Sequence, residues 1–253
     1  MPLPANTPSP VNKLAMALSL STMLATTQLA AAQIATIDFD RDADGQSLST
    51  GVGFTGLEYE RLGVRITSTS PRNSAMNLFN SSGPGFTGND DDLITGDAFG
   101  SPDQGNVLIL QNPGSKISNP NDDPRGGSFL FTFDNPAGVS LRSIGILDLD
   151  EDVTPGFTLT RADGSSFTND TAVSGVELLN PSFPDDNSLR VYSFAGTDPI
   201  TSLQIRLPRV SGAVAFVEFD RLVIPSPSAA SLAALAGIAA CRRRRARTLS
   251  RSV

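Results

Sequence analysis

The segment Ser128-Phe129-Leu130-Phe131-Thr132-Phe133 carries the clearest strand pattern in this chain of 253 residues. Its phenylalanines occupy every second position, and successive side chains of a β-strand point to opposite faces of a sheet. We therefore expect Phe129, Phe131 and Phe133 to point into one core. The pattern predicts a strand with one buried face.

Short apolar runs recur on both sides of this segment, separated by Gly, Pro, Asn and Asp. Between residues 33 and 224, no window of 11 residues carries a convincing helical stripe of apolar side chains. Besides 128–133, the predicted strands are 34–39, 64–69, 76–79, 107–110, 140–149, 156–161, 172–179, 189–194, 200–207 and 213–224. This spacing predicts one all-β domain over 33–224, an antiparallel β-sandwich with a jelly-roll-like arrangement.

Turn and loop residues locate two further features of the domain. Ala162-Asp163-Gly164-Ser165 predicts a tight hairpin that joins 157–161 to 166–168. Residues 71–103, interrupted only by the candidate strand 76–79, form the longest irregular stretch. Because loops often carry functional residues, we expect function there.

The composition excludes several functional classes. The chain has no His, no Trp and a single Cys, Cys241. Residues 33–224 hold 26 acids and 12 bases, a net charge of −14, whereas the whole chain has −7. A nucleic-acid-binding domain needs a basic face, and catalysis by Ser-His-Asp or Cys-His groups needs histidine, as does a His-ligated zinc or iron site. With one Cys the domain has no internal disulfide, so packing or bound ions must stabilise it.

The N-terminal residues have the pattern of a signal peptide. Lys13 precedes the apolar run 14–20, and small residues follow at 30–32. This pattern predicts a signal helix over 1–32 that is cleaved between Ala32 and Gln33, with Ala30 and Ala32 as the small residues before the cut. The alternative is a tail or a short first helix.

The C-terminal residues form a three-part sequence. It consists of a Pro-Ser-Pro element, the 13 uncharged residues 229–241 and an arginine cluster: Pro225, Ser226, Pro227, Arg242, Arg243, Arg244 and Arg245. The apolar part is shorter than the roughly 20 residues that span a bilayer as a helix. We expect a short hydrophobic helix that the arginines hold at the cytoplasmic side. The alternative is an Ala/Leu helix packed on the domain, with a basic tail.

This three-part order over 225–253 resembles the PEP-CTERM sorting signal of exosortase substrates in Gram-negative bacteria. Ser226 stands where that family has Glu. The resemblance implies the export machinery and an exosortase-type membrane protease as partners. It also implies transient anchoring in the inner membrane and final delivery to the cell surface or the extracellular matrix.

The densest acidic segment is Asp38-Phe39-Asp40-Arg41-Asp42-Ala43-Asp44-Gly45. Asp40, Asp42, Asp44 and Gly45 match the first half of an EF-hand-type loop, in which carboxylates at alternate positions converge on calcium and a glycine allows the sharp turn. The twelfth position is Gly51 rather than Glu, so Glu58 or Glu60 would have to supply the missing ligand. The alternative is a solvated acidic turn after an edge strand.

The acids on the first and last predicted strands resemble those of jelly-roll carbohydrate-binding modules. In those modules, acids from the two strands bind one structural calcium ion together. The resemblance implies that Asp38 or Asp40 meets Glu218 or Asp220 around one ion. The alternative is the ordinary solvated face of two strands.

Three more acidic segments are expected to be mostly solvated loops: 89–92, 121–123 and 148–152. The second of these precedes Arg125-Gly126-Gly127, whose glycines would let the backbone approach a ligand closely.

These features favour an exported, non-enzymatic component of the cell surface or extracellular matrix, with calcium as its candidate ion. The first alternative is a calcium-dependent carbohydrate-binding module that contacts polysaccharide. The lack of Trp and the presence of only two Tyr argue against a site that stacks on sugar rings, and the fourteen Phe are better explained as core. The second alternative is a glycoside hydrolase, although no carboxylate pair stands out as catalytic.

Overall fold

The computed structural model of the protein describes residues 31–223, apart from 89, 150–152, 180–186, 195 and 210. The chain divides into the compact unit Gln33–Arg221 and a second unit made of Met1–Ala32 and Leu222–Val253. Nearly all of the second unit lies outside the described residues, including the predicted signal helix, Ala30, the Pro-Ser-Pro element and the arginine cluster. No helix among the described residues has the length and apolar character needed to cross a membrane.

The described unit consists of two antiparallel sheets, which confirms the all-β prediction. The strands of the larger sheet are β1 (Ala31–Ile37), β3 (Met76–Asn80), β4 (Asn106–Leu110), β6 (Ser140–Leu147), β9 (Gly175–Leu178), β10 (Leu189–Ser193) and β12 (Ala213–Val223). Their order is β3-β4-β12-β6-β10-β9, with β1 also paired to β12.

The strands of the smaller sheet are β2 (Val64–Thr69), β5 (Gly126–Phe133), β7 (Gly156–Thr160), β8 (Ser166–Thr168) and β11 (Ser202–Pro208). Their order is β2-β5-β11-β7-β8.

The two sheets share one apolar core. Phe129, Phe131 and Phe133 of β5 are all buried, as the alternation predicted. They belong to the same cluster as Ile144 of β6 and Val217 of β12, which lie in the opposite sheet. A β-sandwich therefore forms because the alternating apolar faces of both sheets are removed from water together.

The larger sheet is also covered on its other face. Val107 and Ile109 of β4 belong to a second cluster, whereas Leu108 belongs to the core between the sheets. Leu93, from the loop between β3 and β4, packs in the second cluster. The uninterrupted apolar run of β4 thus reflects burial on both faces.

The predicted hairpin is confirmed. Thr160 of β7 pairs with Ser166 of β8, and Gly164 has a φ of 82° in the turn between them. The Asp163 carboxylate accepts a hydrogen bond of 2.8 Å from the Ser165 N–H. A hydrogen bond from the Ser165 hydroxyl, followed by this one from its N–H, lowers the pKa of Asp163.

Several strand boundaries differ from the prediction. The predicted strand 172–179 is wrong at its start, because a helical turn, α1 (Asn169–Ala172), precedes β9. The Asn169 side chain donates to the Pro155 carbonyl and accepts from the Phe157 N–H, which ties this turn to β7. β1 and β6 end earlier than predicted, because Phe39 and Asp148 have φ values of 62° and 57°, which an extended strand cannot accommodate.

The expected irregular stretch also has more order than predicted. Within residues 71–103 lie β3 and three single 3₁₀ turns: Gly83–Gly85, Asp91–Leu93 and Asp97–Phe99.

Candidate functional site

The acidic loop after β1 forms a tight turn. Arg41 and Ser47 form an isolated antiparallel bridge across it. One oxygen of the Asp42 carboxylate accepts hydrogen bonds of 2.8 Å from both the Asp44 and the Gln46 N–H groups. The central carboxylate of the predicted calcium loop therefore holds its own backbone.

Asp44 and Asp40 also have protein partners. Asp44 forms an ion pair with Arg61. The Asp40 carboxylate accepts a hydrogen bond of 2.9 Å from the Asn106 N–H. Partial burial raises the pKa of Asp40, and the nearby charges of Asp38 and Asp103 raise it further.

The two candidate acids on β12 face β6. The Ser143 hydroxyl donates to Glu218 Oε2 at 2.6 Å, and Arg142 Nε donates to Asp220 Oδ1 at 2.7 Å. β1 pairs with β12, so the first and last strands are neighbours. Among the described residues, no three acidic, His or Cys side chains are grouped as metal ligands. Calcium shared between Asp38 or Asp40 and these two acids stays a prediction.

Two buried oxygen atoms lie beside the acidic loop. Glu58 Oε1 accepts hydrogen bonds from the Thr55 N–H and hydroxyl, whereas Glu58 Oε2 is buried with no hydrogen-bond partner in the described part of the chain. The hydroxyl of Tyr59, a residue only 1% exposed, has no hydrogen-bond partner among the described residues by distance and angle, although the Phe39 backbone lies near enough to lower the Tyr59 pKa. Burial, together with the charges of Asp38, Glu58 and Asp40, raises the pKa of Tyr59.

Sequence reasoning named Glu58 as a replacement ligand and missed Tyr59. The sequence predicts that an apolar tyrosine ring is buried, but it does not indicate which groups the hydroxyl lies beside in the fold. Here the ring packs edge-on against Phe39, with centroids 6.2 Å apart, in the core next to the loop.

A second group of carboxylates is buried, which corrects the expectation of solvated loops. Asp90, Asp122 and Asp148, one from each of the three remaining acidic segments, are 9%, 4% and 5% exposed. Asp122 accepts a hydrogen bond from the Gly212 N–H, and its own N–H donates to Asp90 Oδ2 at 3.3 Å. The pKa of Asp122 is raised chiefly by burial, then by the charge of Asp90 and a hydrogen bond with it, and also by the charge of Asp148.

The neighbouring Asp123 is buried as well. It accepts a hydrogen bond of 2.5 Å from the Ser74 hydroxyl and one of 3.1 Å from the Arg125 N–H. Arg72 lies 3.4 Å from the same carboxylate. Asp123 therefore anchors the loop before β5 to the segment between β2 and β3.

The contact between Asp90 and Asp122 bears on the hydrolase alternative. Glycosidases hold their two carboxyl groups roughly 5–10 Å apart, on either side of the sugar bond that they cleave. Asp90 and Asp122 are both buried, and the Asp90 carboxylate accepts a hydrogen bond from the Asp122 backbone N–H. A sugar chain would have to enter the interior of the domain to lie between them.

The irregular segment between β3 and β4 lines an open pocket of about 520 Å³. Glycines and small polar side chains form most of its wall, together with Asp97 and Asp103. The Asp103 carboxylate accepts hydrogen bonds from the Ser82 hydroxyl at 2.7 Å and from the Gly105 N–H at 3.0 Å. Asp103 thus holds the loop in shape.

No family model and no curated protein sequence matches this chain.

Proposed function

We propose that the chain is an exported, non-enzymatic protein of the cell surface or extracellular matrix, and that its exported domain is a jelly-roll-like β-sandwich. The compact unit Gln33–Arg221 supports this proposal. It coincides within a few residues with the segment 33–224 that lies between the signal-like and sorting-like sequences. β1 begins at Ala31, so cleavage after Ala32 would remove two residues from that strand and leave the other strands whole.

The charge distribution agrees with this proposal. All 26 acids of the chain lie between Asp38 and Asp220, whereas six arginines follow Ile224. Basic residues next to a short apolar segment favour retention at the cytoplasmic side, and the acidic domain would be the exported part.

Processing in a Gram-negative host that has an exosortase tests the proposal. We expect the exported protein to begin at Gln33 and to lack the residues beyond the Pro-Ser-Pro element, as measured by N-terminal sequencing and intact mass. Replacing Arg242, Arg243, Arg244 and Arg245 by Ser should leave N-terminal cleavage intact and prevent normal surface delivery. Replacing Arg247 and Arg251 by Ser is the matched control. Normal localisation of the four-arginine variant would overturn the sorting proposal.

Calcium is the second part of the proposal, and one observation favours a location for it. Glu58 Oε2 and the Tyr59 hydroxyl are buried oxygens without partners among the described residues, near Asp38 and Asp40. Calcium binds 6–8 oxygen ligands from carboxylates, carbonyls and water. Asp38 and Asp40 would contribute carboxylate oxygens beside the free Oε2 of Glu58, and backbone carbonyls or water would complete the shell, because no three acids are grouped as ligands among the described residues. Asp42, Asp44, Glu218 and Asp220 would keep their present protein partners.

A calcium-dependent carbohydrate-binding module remains the alternative function. Tyr59 and Tyr192, the two tyrosines of the chain, are 1% and 4% exposed. Sugar stacking on tyrosine would therefore require the core to open, whereas recognition through an ion or through polar side chains would not.

A further inference from the structure

Three adjacent strands of the smaller sheet end beside one cavity. The end of β2, the start of β5 and the end of β11 lie side by side, since Thr69 and Arg206 both pair with Ser128. The cavity has a volume of about 420 Å³, within the usual 300–1,000 Å³ of small-ligand pockets. We name it the arginine pocket after its lining residues Arg125, Arg206 and Arg209, which stand with Thr69, Gly127 and Ser128.

The side chains on this sheet face form a polar row. Thr69, Ser128 and Arg206 alternate with the buried residues of their strands, so they point away from the core. Because they share one register across β2, β5 and β11, two hydroxyls and a guanidinium lie in line along one wall of the pocket. Such a row offers hydrogen-bond donors and acceptors to a ligand.

The three arginines differ from most of the other cations in the domain. Arg61, Arg65, Arg72, Arg142 and Arg161 each form an ion pair with a carboxylate. Within the described part of the chain, the side chains of Arg125, Arg206 and Arg209 form no ion pair or hydrogen bond. Residues 33–224 have more than two acids for every base. Three unpaired guanidinium groups around one cavity in so acidic a domain form a local site of positive charge.

The backbone around the pocket is unusual in two places. Arg209 has a φ of 56°, a left-handed conformation that is uncommon outside glycine. Gly127 has a φ of 159°, and a Cβ there would lie 2.5 Å from the Thr69 carbonyl oxygen. β2 and β5 therefore approach each other more closely at the pocket than any other residue at 127 would allow. The left-handed conformation of Arg209 is a strain of the kind that is often kept at binding sites.

We propose that the arginine pocket binds the carboxylate of an acidic saccharide. The guanidinium fork matches the planar geometry of a carboxylate and binds it through paired hydrogen bonds. The hydroxyls of Thr69 and Ser128 face the same space and suit the hydroxyls of a sugar ring. A nucleic acid is disfavoured, because its extended phosphate backbone would meet the net charge of −14 around the pocket.

The choice of a saccharide as the molecule that carries the carboxylate rests on the proposed extracellular location. The binding of an anionic group to the arginine pocket does not depend on that location. Binding measured with the purified protein therefore tests the pocket independently of localisation and processing.

Calorimetric titration of the purified full-length protein with trigalacturonate tests this proposal. We expect saturable binding that weakens as salt rises, and no binding of the neutral trimethyl ester. A hydrogen bond to a charged group contributes about a tenfold change in affinity or more, so Arg125→Gln and Arg206→Gln should each weaken binding about tenfold. Arg221→Gln, which removes an arginine on β12 outside the pocket, is the matched control and should bind as the unsubstituted protein does.

Arg209→Gly separates a binding role from a structural one. Glycine adopts the left-handed backbone without strain, so the melting temperature should not fall, while affinity for trigalacturonate should. A variant that binds normally would show that Arg209 is no ligand contact and would contradict its part in the proposal.

Two further results would overturn the proposal. If neither trigalacturonate nor inorganic sulfate binds, the arginine pocket is not an anion site. If sulfate binds as tightly as trigalacturonate, the pocket takes an oxyanion alone and the saccharide assignment is wrong.

Discussion

At the scale of single residues, the surroundings of a carboxylate decide its chemistry more than its neighbours in sequence do. Asp122 and Asp163 both lie in short polar loops of the sequence. Hydrogen bonds from Ser165 lower the pKa of the fully exposed Asp163, whereas burial and the charge of Asp90 raise the pKa of Asp122. Both loops have the composition of solvated turns, so sequence reasoning could not separate them.

Asp122→Asn should stabilise the protein at neutral pH. Because the folded pKa of Asp122 lies above its unfolded value, its stabilising contribution is complete below about pH 4 and is lost as the pH rises through the folded pKa. Between the unfolded and the folded pKa of Asp122, the free energy of unfolding falls by up to about 1.4 kcal/mol for each pH unit. Asparagine can still accept from the Gly212 N–H and can donate to Asp90 without carrying charge.

Denaturant unfolding between pH 4 and pH 8 provides the measurement. The Asp122→Asn protein should lose less stability over this range than the unsubstituted protein. Asp163→Asn is the control, because the pKa of Asp163 is lowered and its contribution lies at more acidic pH. An Asp122→Asn protein that is less stable at pH 8 and keeps the full pH dependence would contradict the assignment.

At the scale of elements, the apolar pattern predicted most of the strands but not what covers their outer faces. β4 was expected from its apolar run, yet the run could not indicate that the irregular segment before it packs on Val107 and Ile109. The short turn Asp91–Leu93 brings Leu93 onto this face. An irregular segment has no period, so its contacts cannot be predicted from spacing.

Leu93→Ala should destabilise the protein by about 2–5 kcal/mol, the usual cost of truncating a fully buried leucine. Leu57→Ala makes the same chemical change at a leucine that is 48% exposed and should cost about 0.5 kcal/mol or less. Urea unfolding of both variants checks the difference. Equal stability of the two proteins would show that the loop does not pack on the larger sheet in solution.

At the scale of the whole molecule, the sheet order depends on pairings between distant parts of the chain. β12 lies between β4 and β6 and also pairs with β1, so the first and last strands meet in the larger sheet. The acidic loop after β1 is therefore built against a sheet that is complete only when the last strand is in place. Ion binding at this loop would act on the stability of the whole domain.

Millimolar calcium should raise the melting temperature of the full-length protein above its value in chelator. Ligand that binds only the folded state at about 100 times its Kd adds about 2.7 kcal/mol to stability. Sodium chloride at equal ionic strength is the control, because screening alone also reduces the repulsion within a domain of net charge −14.

The variant Asp38→Asn/Asp40→Asn should lose the increase that is specific to calcium, whereas Asp163→Asn should keep it. Identical melting temperatures in calcium and in sodium chloride would rule out a structural calcium ion.

The sequence by itself determined most of the strands although not all of their ends, the buried face of β5, the hairpin at Asp163-Gly164 and the acidic charge of the domain. These properties depend on alternation and turn chemistry, which act over a few neighbouring residues. Only the tertiary structure decided which polar side chains are buried and which arginine side chains lie around one pocket. The Gly212 N–H reaches Asp122 across 90 residues of chain, and the row of Thr69, Ser128 and Arg206 exists only through strand register. Burial and clustering of charge are set by long-range packing, and no local pattern records them.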